Sequence, residues 1–266
     1  MQENFPVRVS AVSFLNSIPM VYGLQKVMNP KYISLSTDVP SECARKLAEG
    51  EADIGLIPVV QMLNIPQSKF ISSFCIGATG AVDSVMIAST VPVTEIKRIY
   101  TDPHSCTSVM LARILIKEFW KTEPEWCEVK EPVKQDMLRP DEAAVVIGDK
   151  AFGFASRYRY DLAEIWYEFT GLPFVFAGWV AVSALPEKFI AEFNNALSWG
   201  IIHKREAVDS LPSLPVHKET AYHYLEDFIE FEFTDKKRQG LELFLSLAVD
   251  IVSQTQHNDT QVHAIF

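Results

Sequence analysis

The first sixty residues alternate between short β-branched segments and segments of helical periodicity, and this order restricts the possible folds most strongly. The predicted strands are residues 7–12, 33–37 and 54–57, and the predicted helices are residues 17–27 and 41–47. Pro19 falls in the first helical turn, where a missing N–H costs little, and Ser41 is the predicted cap of the second helix. A strand-helix-strand-helix-strand order predicts a parallel α/β sheet.

A second α/β cycle begins near Ile96. Its predicted elements are a strand at "RIYTD", a helix over residues 108–120 and a strand over residues 143–149. Two long β-rich passages, residues 72–90 and the stretch after Pro173, flank this cycle, and the chain from Glu187 onward is helical. We therefore predict a two-lobed α/β clamshell with lobe one at residues 1–90 and 178–266 and lobe two at residues 91–177. Its ligand cleft would lie between the lobes, at the carboxyl ends of the strands.

Composition and charge exclude several classes of partner. With a net charge of −10 and a pI near 5.1, the chain has no overall basic field to hold nucleic acid or an anionic membrane. The N-terminal residues lack the basic and apolar regions of a secretory signal and no apolar run is long enough to span a bilayer, so we expect a cytoplasmic protein. The expected oligomeric state is a monomer or a homodimer. Four cysteines without metal-ligand spacing are expected to be free thiols: Cys43, Cys75, Cys106 and Cys127.

Polar residues follow several predicted strands, where a cleft would be built. These segments are Ser13–Ser17, the residues from Pro58 onward, Asp83–Ser84, Ser105–Ser108 and Gly148–Asp149. In "SFLNSIP", an Asn and two Ser stand where a helix begins, and the first amides of a helix have no partner inside it. Simple helix capping explains such a junction equally well, because Ser and Asn are common caps.

The segment Ser105–Ser108 combines hydroxyl groups with free helix amides. Ser105, Thr107 and Ser108 together suit a carboxylate or phosphate, although Ser105 alone would suffice as a cap. Gly148–Asp149 after a buried strand either forms a turn or places a carboxylate at the cleft.

Other candidate residues carry weaker signals. His104 is the one histidine on a predicted cleft loop, where a solvated surface role is the commoner case. Phe176 or Trp179 would line the cleft if either aromatic ring is not part of the core. The sequence has no GxSxG, Walker or dinucleotide motif, which argues against nucleotide-dependent chemistry.

Taken together, these segments resemble the chorismate dehydratases of the futalosine route to menaquinone. The start "VRVSAVSFLNSIPMVYGL" is similar to the opening of that family, in which a strand leads into an Asn and a Pro. The later blocks follow in the family's order: "SECARKLAEGEADIGLIPV", "DSVMIAS", "SCTSVMLARILI", "VVIGDKA" and "DLAEIWYEFTGLPFVFAGW". The resemblance covers about residues 7–185. Ser17 and Met20 depart from it, since Thr or Cys and Leu are frequent there.

The resemblance implies a periplasmic-binding-protein type II clamshell that converts chorismate to 3-[(1-carboxyvinyl)oxy]benzoate and water without cofactor or metal. The family's functional Asn and Ser match Asn16 and Ser84, and its paired anion-binding residues match Thr107 and Ser108. Ser13, Ser17, Ser105, Gly148 and Asp149 are the further substrate-binding candidates. The proton acceptor stays open among His104, Asp149 and the substrate's own side-chain carboxylate.

Three other functions compete with the dehydratase. A non-catalytic solute-binding protein for a small carboxylate would use the same clamshell. The sister 1,4-dihydroxy-6-naphthoate synthase shares the fold, but its Ser-Pro-Cys-Pro-Asn-Asp-Thr type of opening is absent here. A ligand-sensing regulatory domain would need a DNA-binding helix-turn-helix, and none is visible in the sequence.

Overall fold

A computed structural model describes residues 6–103 and 105–258 of the chain. Its strands are β1 (Val7–Val12), β2 (Ile33–Asp38), β3 (Ile54–Pro58), β4 (Lys69–Ala78), β5 (Val85–Ser89), β6 (Arg98–Tyr100), β7 (Glu125–Cys127), β8 (Glu142–Ile147), β9 (Tyr158–Asp161), β10 (Phe174–Ala181) and β11 (Glu230–Glu232). Its α-helices are α1 (Ile18–Val27), α2 (Pro40–Ala48), α3 (Cys106–Ile114), α4 (Leu162–Thr170), α5 (Glu187–Ile202), α6 (Lys204–Asp209), α7 (Lys218–His223) and α8 (Asp235–Asn258). No helix in these described ranges is long and apolar enough to cross a membrane.

The chain divides into two compact units. The first contains the described residues up to Gly77 together with Val175–Thr234, and the second contains Ala78–Phe174 and the described residues from Asp235 onward. Each unit has its own sheet, six strands in the first and five in the second. The structure therefore has the predicted mixed α/β architecture with two sheets.

The first sheet has the strand order β11-β4-β10-β3-β1-β2. Strand β1 is parallel to β2 and β3, with Val9 opposite both Leu35 and Ile54, whereas β10 is antiparallel to β3. Strand β1 is buried continuously from Val9 to Val12, as expected of a parallel strand inside a sheet. Because β1, β2 and β3 run in one direction, their carboxyl ends lie at one edge of this sheet.

The second sheet has the strand order β7-β6-β8-β5-β9. Strand β6 is parallel to β7 and β8, and β5 is antiparallel to β8 and β9. Helices α3, α4 and α8 pack together in this unit. Phe244 of α8 packs nearly at right angles against Trp166 of α4 and against Phe174 at the start of β10, an arrangement that buries large apolar area.

The units differ from the predicted lobes in three segments: residues 175–177, placed in lobe two, belong to the first unit, and two longer segments placed in lobe one belong to the second. Residues 78–90 include β5, which lies between β8 and β9 in the second sheet. The C-terminal helix α8 also belongs to the second unit, because Phe244 packs against Trp166 there. The predicted cap of α2 is wrong as well: the helix begins at Pro40 and Ser41 lies inside it, since proline suits the first helical position.

Asp38 terminates β2 at the edge where β1 ends, and its carboxylate is surrounded by donors. Lys46 Nζ donates to both oxygens at 2.7 Å, and the hydroxyls of Ser10 and Ser36 donate to Oδ2 at 2.8 and 2.6 Å. Burial raises the pKa of Asp38, but these hydrogen bonds outweigh burial and the pKa lies below its ordinary value.

We expect Asp38 to make the free energy of unfolding depend on pH in the acidic range. A carboxyl group whose pKa is lower in the folded chain stabilises it above the unfolded pKa of about 3.9, and that contribution disappears as the pH falls through the folded pKa. Asp38→Asn should lower the free energy of unfolding by about 2 kcal/mol above pH 5, and the difference from wild type should shrink below about pH 4. Urea unfolding of the variant and the wild type at a series of pH values from below 4 to above 5 measures this difference in the free energy of unfolding. Lys46→Met should show the same pH trend, and a difference independent of pH would contradict the assignment.

Candidate functional site

The predicted segment after β1 forms a tight 3₁₀ turn, Leu15–Ser17, at the edge of the first sheet. Ser13 is exposed and its N–H donates to Asp38 O at 3.0 Å, which ties the start of the turn to β2. Ser17 is buried, and its hydroxyl lies 2.5 Å from Val12 O and 2.7 Å from Phe14 O. These contacts give Ser17 a role in closing the turn, which differs from the predicted contact with substrate.

Asn16 lies between the two buried anchors of this turn, Leu15 and Ser17, and its own side chain is half-buried. Its Nδ2 donates to the hydroxyl of Tyr224 at 3.2 Å, and its Oδ1 is buried without a hydrogen-bond partner among the described residues. Tyr224 was not predicted as a site residue, because it is 208 positions away and carries no local motif.

The predicted residues of the second unit come together at one edge of its sheet. Strand β6 is parallel to β8, and β5 is antiparallel to β8 with Val85 opposite Ile147. The carboxyl ends of β6 and β8 and the amino end of β5 therefore share an edge. Three predicted segments follow or precede these strand ends: Ser84, Ser105–Ser108 and Gly148–Asp149.

Ser84 is buried, and it lies beside Gly148, whose N–H donates to Ser84 O at 2.7 Å. Gly148 has a φ of +62°, a left-handed conformation that glycine adopts without steric cost. Asp149 follows it and is half-buried. The left-handed backbone at Gly148 agrees with the turn interpretation of Gly148–Asp149, and Asp149 follows β8 directly at the sheet edge.

Asp161 holds the turn that precedes Ser84, and sequence reasoning missed it. Its Oδ2 accepts from the N–H groups of Val82 and Asp83 at 2.9 and 2.6 Å, while Oδ1 accepts from the first amides of α4. Burial raises the pKa of Asp161, and the four backbone donors partly offset that increase. This carboxylate holds the backbone at Asp83, whose φ is +58°, and so determines the position of Ser84, the residue directly before β5.

Helix α3 begins directly after Ser105, which acts as its cap. The Ser105 hydroxyl accepts a hydrogen bond from Ser108 N at 3.3 Å, so Ser105 caps the helix, the simpler of the two roles considered for it. Thr107 and Ser108 are buried in the first turn, at 2% and 3% exposure. Hydroxyl groups and the positive end of the helix dipole therefore lie together at this edge.

The remaining sequence candidates divide clearly. Of the two aromatic candidates for a cleft wall, Trp179 is completely buried in the core, with Nε1 3.2 Å from Met20 Sδ, and Phe176 is half-buried. His104 lies outside the described residues. None of the four cysteines forms a disulfide within the part of the chain that the structure describes. Within the described part of the chain, no three His, Cys, Asp or Glu side chains gather where they could hold a metal ion.

Comparison with known proteins identifies the family. A family profile described as menaquinone biosynthesis matches residues 7–250. This chain belongs to that family. It is 26% identical over 229 residues to a chorismate dehydratase from Thermus thermophilus, a similarity that covers 77% of this chain and 83% of that enzyme. The family resemblance predicted from the sequence is confirmed.

Solved structures show the same fold. A protein from Archaeoglobus fulgidus superposes with a TM-score of 0.68 at 15% identity, covering 96% of this chain and 99% of that one. The periplasmic aliphatic sulphonate binding protein SsuA from Escherichia coli superposes with a TM-score of 0.62 at 12% identity, covering 97% and 94%. The predicted periplasmic-binding-protein-like α/β fold is confirmed.

Proposed function

We propose that this member of the menaquinone biosynthesis family is a chorismate dehydratase, a carbon–oxygen lyase that acts without a cofactor. The observation that carries the proposal is the similarity to the Thermus enzyme of that name, which extends over 77% of this chain. The positions of Asn16 and Ser84 at sheet edges support it, because the sequence resemblance assigns these two residues to the reaction. A cytoplasmic location, which the resemblance also implies, is part of the proposal.

The proposed reaction removes water from the chorismate ring. A ring C–H bond breaks, its electron pair forms a new ring double bond, and the neighbouring C–O bond breaks, so that hydroxide and the proton leave as water. The ring of the product, 3-[(1-carboxyvinyl)oxy]benzoate, is aromatic, which supplies much of the driving force. The protein then needs mainly to position the substrate and stabilise charge on its oxygens.

Asn16 and Ser84 are proposed to hydrogen-bond the ring carboxylate or the departing hydroxyl. Both stand on backbone fixed by other groups: the Ser17 hydroxyl closes the turn around Asn16, and Asp161 holds the turn before Ser84. Donors that are fixed before the reaction cost no reorganisation when charge develops.

The start of α3 is proposed to hold another carboxylate of chorismate. Thr107 and Ser108 offer hydroxyls beside the helix amides, and a negative group at a helix N-terminus gains about 0.3–1 kcal/mol from the dipole alone. Ser105 contributes by capping the helix, which directs these residues toward the edge.

The substrate's own side-chain carboxylate is proposed as the proton acceptor. The groups assigned to the substrate, Asn16, Ser84, Thr107 and Ser108, are neutral and none of them is a base at neutral pH. Asp149 is the one carboxylate among the predicted substrate-binding residues. Asp149 and His104 are the protein groups that would replace the substrate carboxylate in this role.

Purified protein mixed with chorismate alone is expected to form the enolpyruvyl benzoate faster than buffer does, with a rate unchanged by EDTA. Chromatography with ultraviolet detection measures product and remaining substrate. Chorismate that binds but is not consumed would reject the dehydratase in favour of a binding protein. Chorismate that neither binds nor reacts would favour the sister synthase.

The same assay tests the proton acceptor with Asp149→Asn and, as a neighbouring charge control, Lys150→Gln. If the substrate carboxylate removes the proton, Asp149→Asn should keep turnover within a few-fold of wild type. General-base catalysis contributes about 10²–10⁴-fold, so a loss of that size in Asp149→Asn alone would assign the step to Asp149.

A further inference from the structure

The side chain of Asn16 is oriented by a single hydrogen bond. Among the described residues, its carboxamide has one polar contact, from Nδ2 to the Tyr224 hydroxyl at 3.2 Å. The other end of the carboxamide, Oδ1, is buried and unpartnered. Since a buried unsatisfied carbonyl costs about 1–3 kcal/mol, this orientation is not one that the isolated side chain would favour. Tyr224 is the group that holds it.

Tyr224 is itself held firmly. It is buried, at 2% exposure, and it begins a π-helical turn, Tyr224–Phe228, an uncommon geometry that is frequent at functional sites. Helix α6 braces this turn, because Lys204 Nζ donates to Leu225 O at 3.2 Å and Arg205 makes two hydrogen bonds of 2.7 Å to Glu226. The backbone turn that carries Tyr224 is therefore anchored by contacts that do not involve Asn16.

We propose that Tyr224 is the positioning residue for Asn16, fixing the carboxamide so that it acts on the substrate as a hydrogen-bond donor. Because the Tyr224 hydroxyl accepts one Nδ2 hydrogen, the amino group of Asn16, and not its carbonyl, lies on the Tyr224 side. The second Nδ2 hydrogen is then left for a substrate oxygen. A donor is the group that a carboxylate or a departing hydroxyl requires. This inference rests on the proposed function.

Kinetics of Tyr224→Phe, Asn16→Ala and the double variant test the proposal. Tyr224→Phe removes only the hydroxyl and should lower kcat about tenfold, the value of one net hydrogen bond, with little change in KM. The double variant should be no slower than Asn16→Ala, because Tyr224 acts only through Asn16. Tyr222→Phe is the matched control: its hydroxyl, two residues away, donates to Asp209, and its turnover should equal wild type.

The outcomes separate this inference from the proposed function. Losses that multiply in the double variant would overturn the positioning role, as would wild-type kcat in Tyr224→Phe. The side-chain amide resonance of Asn16, assigned by its absence in Asn16→Ala, gives a readout independent of activity. It should shift in Tyr224→Phe and not in Tyr222→Phe. If it shifts while wild-type protein leaves chorismate unchanged, the orientation stands and the dehydratase is rejected; if it does not shift, the positioning role is rejected whatever the activity.

Discussion

Asn16→Ala is expected to lower kcat for chorismate by about 10²–10³-fold, the usual effect of removing one fixed donor from developing charge. The substitution removes the carboxamide and leaves the backbone of the turn intact, since that backbone is held by the Ser17 hydroxyl and by Ser13 N bonded to Asp38 O. Steady-state kinetics on the same protein preparation used for the wild type measures the loss.

The same variant should keep or slightly raise the melting temperature. It loses the bond to Tyr224, worth about 0.5–1.5 kcal/mol net, but it also removes a buried Oδ1 that has no partner within residues 6–103 and 105–258, whose cost is about 1–3 kcal/mol. Asn64→Ala is the matched control, because Asn64 is exposed and its side chain bonds only Gln61 among the residues that the structure describes. Full turnover in Asn16→Ala would reject its catalytic role, and a large fall in melting temperature would make Asn16 a structural residue.

Local sequence patterns predicted the elements around the site well and the use of individual hydroxyls less well. Strand β1, the break after it and helix α1 follow from β-branched alternation and from proline at a helix start, all of which act within a few residues. Ser17 shows what local sequence patterns cannot predict, the partner of a particular hydroxyl group. A serine hydroxyl can donate to a nearby carbonyl or to a ligand, and only the path of the turn decides that it faces Val12 O and Phe14 O.

Residues that act across the fold could not be predicted from one sequence. Tyr224 and Asp161 meet their partners 208 and 78–79 positions away, and no local motif encodes such a meeting. The unit to which helix α8 belongs could not be predicted for a related reason. Its periodicity identifies an amphipathic helix, but the sheet that its apolar face covers depends on where Phe244 finds Trp166, which is a tertiary property.

Helices α1 and α5 approach each other so closely that glycine is required on both. A Cβ on Gly200 would lie 2.0 Å from Pro19 O, and a Cβ on Gly23 would lie 2.1 Å from Ala196 O. Both contacts are with backbone, which cannot rotate away as a flexible side chain can. Pro19 also stands in the first turn of α1, directly after the turn that carries Asn16. The crossing of these helices therefore places the proposed catalytic side chain.

Gly200→Ala should consequently destabilise the protein and slow the reaction together. The gain in helix propensity is about 1 kcal/mol, but overpacking against backbone costs about 3 kcal/mol. The net loss of about 2 kcal/mol should lower the melting temperature by about 4–8 °C. Calorimetry and the chorismate assay at a temperature where the variant is folded measure both effects. Gly153→Ala is the control, because a Cβ there meets nothing within 4 Å, and it should change stability by less than about 0.5 kcal/mol. If Gly200→Ala melts with wild type, the two helices can separate without cost. If it melts early but keeps full kcat, α1 does not position Asn16.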